Sequence, residues 1–179
     1  RTAVGTGQPF SISTGRSGAD EGGNGGPTPR WSAASRCVTA VAGTTLNATS
    51  TTWSSETVWS GSGGSASKIE SRPAFQNGFV SGTKRVVADV TFSADPNSGA
   101  KIIVKGATVQ VGRTSLSAPI FAVMLARLLR VQGTGFGLAS PKPSATPSTA
   151  FHDITPRCHR LHPTAPSPPP PRPRAPPPP

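Results

Sequence analysis

Tyrosine is absent from this 179-residue chain, methionine occurs once, cysteine twice, and acidic residues number only seven. Two cysteines cannot staple a chain of this length, so a disulfide scaffold is excluded. There are only three histidines, His152, His159 and His162, and all fall near the C-terminal end. Cys158, His159 and His162 lack the second ligand pair that zinc sites normally show. No unbroken apolar run approaches the ~18 residues of a membrane span, so no membrane contact is expected. Basic residues, glycine and proline are what the chain has in quantity. Eighteen Lys+Arg give a net charge of +11, and 20 Gly with 21 Pro stand against only 34% hydrophobic residues. That balance borders on disorder, and the length suits one modest domain.

The prolines are not spread evenly. Twelve of the 21 lie between Pro156 and Pro179, with Arg157, Arg160, Arg172 and Arg174 and no acid. Such a segment cannot bury enough apolar surface to offset its ordering entropy, so residues 156–179 are expected to be a disordered, polyproline-like tail. Pro168–Pro171 supplies a P-x-x-P element for aromatic-lined grooves, which opens an alternative, non-catalytic role as an interaction protein. Nucleic acid is not an expected partner, because no aromatic residue is interleaved with the tail arginines to stack on bases. Residues 1–155 keep 14 basic against seven acidic residues, a net +7.

Within that body, Phe10–Thr14 alternates as a short strand and Asp20–Pro29 reads as a loop. Val38–Leu46 reads as a strand broken at Ala42-Gly43, with Cys37 at its start as a buried free thiol. A polar stretch follows from Asn47 to Ser67 with no strand assigned to it, Gly61–Gly64 reading as a surface loop and Asn47-Ala48-Thr49 as a glycosylation sequon. Val86–Phe92 is a strand, Asp95–Gly99 a turn, and Lys101–Lys105 with Thr108–Val111 a hairpin around Gly106. Ile120, Phe121, Met124, Leu125, Leu128 and Leu129 form a helical apolar stripe. Its N-cap is expected at Ser117 or Ala118, with Pro119 in the first turn.

A strand, a short connection and a helix place Ser115 at a helix N-terminus, among unpaired N–H groups and positive partial charge. A hydrolase nucleophile fits there, and so does a helix-capping serine. No histidine precedes Ser115, and no acid before it pairs with another at helical spacing, so no general base is apparent.

Several motifs run co-linearly through residues 10–155. Val38–Leu46 is similar to V-T-A-V-G-G-T-T-L, and Glu56–Trp59 and Arg72–Gln76 follow in order. Val87–Val90 is similar to V-P-D-V, and Ala94–Gly99 to A-D-P-x-T-G. Gly112–Ala122 is similar to G-G-T-S-x-S-A-P-x-F-A, and Phe151–Thr155 to F-x-D-I-T. On these residues the chain resembles the C-terminal half of the catalytic domain of the sedolisin family, the serine-carboxyl peptidases. The resemblance implies a fold of the α/β class: part of a subtilisin-like parallel sheet with a helix following the nucleophile serine. It implies Ser115 at the nucleophile position and peptide or protein substrates cleaved in acid, by an endopeptidase or a tripeptidyl-peptidase. It further implies secretion, although the chain shows no signal peptide, and a calcium site begun by the Asp153 carboxylate and the Ile154 carbonyl.

The departures shape the expectation. The family's catalytic Glu and Asp lie ahead of the matched region and have no counterpart here. In Thr14-Gly15-Arg16-Ser17-Gly18, Arg16 stands at the oxyanion aspartate of S-G-D-S-G, and a permanent cation cannot imitate a neutral carboxyl. Arg113 and Ala42 replace glycines, and Arg36-Cys37 stands where Pro-Tyr is usual. After Thr155 the remaining calcium loop does not follow. The chain is therefore expected to be a peptidase fragment, inactive by itself, with its missing N-terminal half as a partner.

Overall fold

The structure, a computed structural model, describes residues 2–23, 25–135, 137–139, 151–152 and 154. In chain order it contains α1 (Thr2–Gly5), β1 (Ser11–Ser13), α2 (Trp31–Ala34), β2 (Thr39–Ala48), β3 (Trp53–Val58) and β4 (Ala66–Ser71). A 3-10 turn at Ala74–Gln76 precedes β5 (Lys84–Val86), β6 (Val90–Ser93), β7 (Ala100–Val104), β8 (Ala107–Val111) and α3 (Thr114–Gln132).

Strand β2 organises the main sheet. Val41 pairs with both Ser13 of β1 and Val90 of β6, so these two parallel neighbours lie on opposite edges of β2. Beyond β1, on its side of β2, β3 runs antiparallel against Thr44–Ala48. The sheet is thus mixed, with a parallel core of three strands as expected. Residues Thr39–Thr44 are buried throughout, the pattern of a strand covered on both faces. Successive side chains point to opposite faces. Ala40 meets Ala33 and Ala34 of α2 with Val87, while Val41 meets Val90 and the α3 residues Ala118, Phe121 and Leu125. Burying Phe121 or Leu125 contributes about 1.5–3 kcal/mol each.

Several expectations need correction. Ala42 and Gly43 do not break β2, because its neighbours hydrogen-bond through both residues. The polar Asn47–Ser67 stretch contains β3, whose exposed Trp53, Ser54 and Ser55 conceal the alternation that marks a half-buried strand. Val86–Phe92 is divided between β5 and β6, which lie in different sheets. Cys37 sits half-buried in a turn before β2, not in a strand. The expected hairpin is present, with Ala100–Val104 paired to Ala107–Val111 and both Lys105 and Gly106 at positive φ.

The N-cap of helix α3 is Arg113, four or five residues before the expected Ser117 or Ala118, and Pro119 lies inside the helix. The helix ends at Gly133, a left-handed C-cap whose N–H donates to the Leu129 carbonyl at 2.9 Å. By length and composition α3 is apolar enough to cross a membrane. A search for unbroken apolar runs misses this because Arg127 and Arg130 interrupt it. In the fold, its buried stripe packs on the sheet. The tail from Pro156, including Cys158, His159 and His162, lies outside the described residues.

Candidate active site

Ser115 is the second residue of α3 and is exposed. Its neighbours fix it in place. Ser117 Oγ is fully buried, lying 3.0 Å from each of the Phe92 and Ser93 carbonyls at the end of β6. Thr114 is buried against the loop after β1. Its Oγ1 donates to the Gly15 carbonyl at 2.9 Å, and the Gly15 N–H donates to Oγ1 at 3.1 Å. This pair of hydrogen bonds joins residues adjacent to Ser115 and Arg16, so the fold brings together two positions that lie 99 residues apart in sequence. Pro119 has no N–H to donate to the Ser115 carbonyl, so the helical bond from that position is missing.

The Thr14–Gly18 loop is held from below as well. The Gly63 N–H donates to the Gly15 carbonyl and the Gly64 N–H to Gly18, both at 3.2 Å. A Cβ on Gly63 would fall 2.2 Å from the Thr14 carbonyl oxygen, so only glycine permits this approach. The glycine cluster is therefore an inner wall of the site, not the surface loop expected. Glu21 completes the support. Its side chain is fully buried, its Oε1 accepts the Ser17 N–H, and Arg30 lies 3.7 Å from Oε2. Sequence reasoning missed Glu21, Gly63 and Thr114 in these roles. Only the loop crossing unites them, and no local pattern encodes it.

The turn behind the helix entrance is also ordered. Asp95 accepts from the Asn97 N–H at 2.9 Å and the Thr45 hydroxyl at 2.7 Å, and these bonds hold its carboxyl below the usual 3.8. The stabilisation they give is present above 3.8 and is lost only as pH falls through the lower folded-state value, so the turn persists into acid.

Chemically, the site offers an exposed hydroxyl at the positive end of a helix, with the exposed cations Arg16 and Arg113 nearby. Among the described residues, Ser115 Oγ has no hydrogen-bonded carboxylate or imidazole to take its proton. Asp153 lies outside the described residues, and Ile154 is half-buried. No three His, Cys, Asp or Glu side chains come together among the described residues.

Replacing Thr114 by Val removes both bonds to Gly15 and leaves its N–H unpaired. The expected destabilisation is about 1–3 kcal/mol, with faster amide exchange at Gly15 and Gly63. Thr114→Ser should retain both bonds and most of the stability. Equal exchange rates in the Val variant and the parent chain would refute the clamp.

No protein-family model matches the chain. It is 37% identical to xanthomonalisin of a Xanthomonas species, over 69% of this chain and 17% of that protein. It is 38% identical to sedolisin of a Pseudomonas species, over 86% of this chain and 30% of that protein. The solved structure of Pseudomonas sedolisin, a serine-carboxyl proteinase complexed with two molecules of pseudo-iodotyrostatin, matches with a TM-score of 0.75 and 34% identity. That match covers 86% of this chain and 47% of the sedolisin chain. The chain therefore spans less than half the length of each of these relatives, yet agrees with both in sequence and with sedolisin in structure. The chain belongs to the sedolisin family, of which it represents part of the length.

Proposed function

We propose that this chain is the nucleophile-bearing part of a sedolisin-type serine peptidase acting on peptides, and that it does not cleave them by itself. The observation carrying the reading is Ser115, exposed at the first turn of α3 and tied through Thr114 to the loop that holds Arg16. Attack by Ser115 Oγ on a peptide carbonyl would create a tetrahedral oxyanion, and the hydroxyl proton must pass to a base. None of the described acids is hydrogen-bonded to Ser115, so that step has no acceptor among the described residues. Arg16 would face the oxyanion as a fixed cation and cannot hold and return a proton as a carboxyl does in acid. A complementary N-terminal sedolisin-type segment, supplying the carboxylates, is the partner this reading requires. An extracellular setting goes with it, and Asn47 of the sequon is exposed on β2. No step is assigned to calcium.

A fluorophosphonate probe and a peptide substrate test the reading from about pH 3 to pH 7. The chain alone should give no turnover and no labelling above the Ser115→Ala variant. Refolded with the unmatched portion of Pseudomonas sedolisin, it should acquire labelling that depends on Ser115. Arg16→Asp should raise that labelling about a hundredfold, the usual worth of an oxyanion donor. Ser115-dependent cleavage by the chain alone, or no labelling in the refolded Arg16→Asp mixture, would overturn it.

A further inference from the structure

A cavity of about 640 Å³ opens at the other end of the parallel strands, where β2 begins. It is lined by Arg36 and Cys37 from the turn before β2, by Arg72, Pro73 and Phe75 after β4, and by Leu138. The Ser115 site lies where β1 and β6 finish, so the two features are separate.

Two cations and several apolar side chains line the cavity together. Arg36 Nη1 donates to Ser71 Oγ at 2.6 Å, and Arg72, the next residue, donates from Nη1 to the Val80 carbonyl at 3.0 Å. Each bond splints a guanidinium while leaving its other N–H groups for a ligand. Among the described residues no carboxylate lines the cavity, and the ion pairs involve Arg30 and Arg85 instead. Holding two like charges together without an acid is unfavourable, and an anion between them relieves it. Pro73, Phe75 and Leu138 supply apolar lining to the same cavity. The Phe75 ring is held by the Arg85 guanidinium, 5.4 Å from its centroid.

We propose that this cavity binds an amphipathic carboxylate, its head between Arg36 and Arg72 and its alkyl or aryl body against Pro73, Phe75 and Leu138. Charge complementarity selects the head and the apolar lining selects the body.

Decanoate is the probe, with decanol as its uncharged counterpart. Calorimetry on the full chain should find decanoate binding with a Kd of about 1 mM or tighter, and decanol about tenfold or more weaker. Arg36→Met keeps the stem of an exposed side chain and should weaken decanoate about tenfold while leaving decanol unchanged. Arg72→Met should act alike, and far-UV circular dichroism checks that both variants stay folded. In a Cys158→Ser background, decanoate at ten times its Kd should slow Cys37 thiol labelling about tenfold. Binding that decanol equals, binding unchanged in folded Arg36→Met, no binding at about 10 mM decanoate, or unprotected Cys37 would each overturn the proposal.

Discussion

Arg85→Met is expected to lower the free energy of unfolding by about 3–5 kcal/mol, a large fraction of a small domain's stability. Arg85 is fully buried and Asp89 is 3% exposed, and their side chains meet through two bonds of 2.6 and 2.5 Å. The aspartate is committed further, since the Ala40 N–H donates to its Oδ2 at 2.8 Å. Arg85 also donates to the Val86 carbonyl at 2.6 Å, where Gln76 Nε2 arrives at the same distance. This network joins β2, β5 and the 3-10 turn. Removing the guanidinium leaves a carboxylate out of water with its main counter-charge gone, and that penalty exceeds what the pair contributed when intact. Asp89→Leu should be comparably harmful alone. The Arg85→Met/Asp89→Leu double variant should recover much of the loss, because no charge is then left buried. Urea denaturation of the four chains measures it. Strictly additive single and double effects would show that the two charges do not depend on each other.

The second large effect is a pair of adjacent substitutions with opposite signs. A Cβ on Gly112 would fall 2.4 Å from the Ala94 carbonyl oxygen and 2.5 Å from the Pro96 nitrogen, both backbone atoms. Gly112→Ala should therefore cost about 2–3 kcal/mol, since neither neighbour can rotate away. Arg113, one residue on, has φ 80° and ψ 163°, a region occupied almost exclusively by glycine. Holding an arginine there costs about 1–3 kcal/mol, while glycine adds about 0.5–1 kcal/mol of unfolded-state entropy. Arg113→Gly should thus stabilise the chain by about 1–2 kcal/mol, seen as a higher urea midpoint at unchanged m. The Arg113 side chain is exposed, so its removal forfeits little packing. A lower midpoint for Arg113→Gly would remove the case for strain at the entrance to α3.

These predictions mark where reading the sequence succeeded and where it stopped. The hairpin was legible because Gly106 separates two short β-prone runs, and the α3 stripe because its apolar spacing is helical. The start of α3 was not. Ser117 looks like a capping residue, whereas in the fold its hydroxyl is spent on the end of β6 and Arg113 is the cap. Arg113 was suspect from the motif, but only its dihedral angles express the misfit as strain. The division of Val86–Phe92 also escaped local patterning, because Arg85 and Asp89 turn inward on each other between two sheets.

By itself the sequence determined the family, placed Ser115 and Arg16 within segments similar to the family's motifs, and gathered twelve of its prolines into residues 156–179. Each of these resides in consecutive residues or in motifs kept in order, and reading them requires no contact between distant segments. The tertiary structure decided that Thr114 clamps the Arg16 loop, that Gly63 and Glu21 form its floor, and that Arg36 and Arg72 share one cavity. Those facts depend on crossings between segments far apart in the chain. Local propensity carries no information about such crossings, because the burial and hydrogen bonding that create them exist only once the sheet has formed.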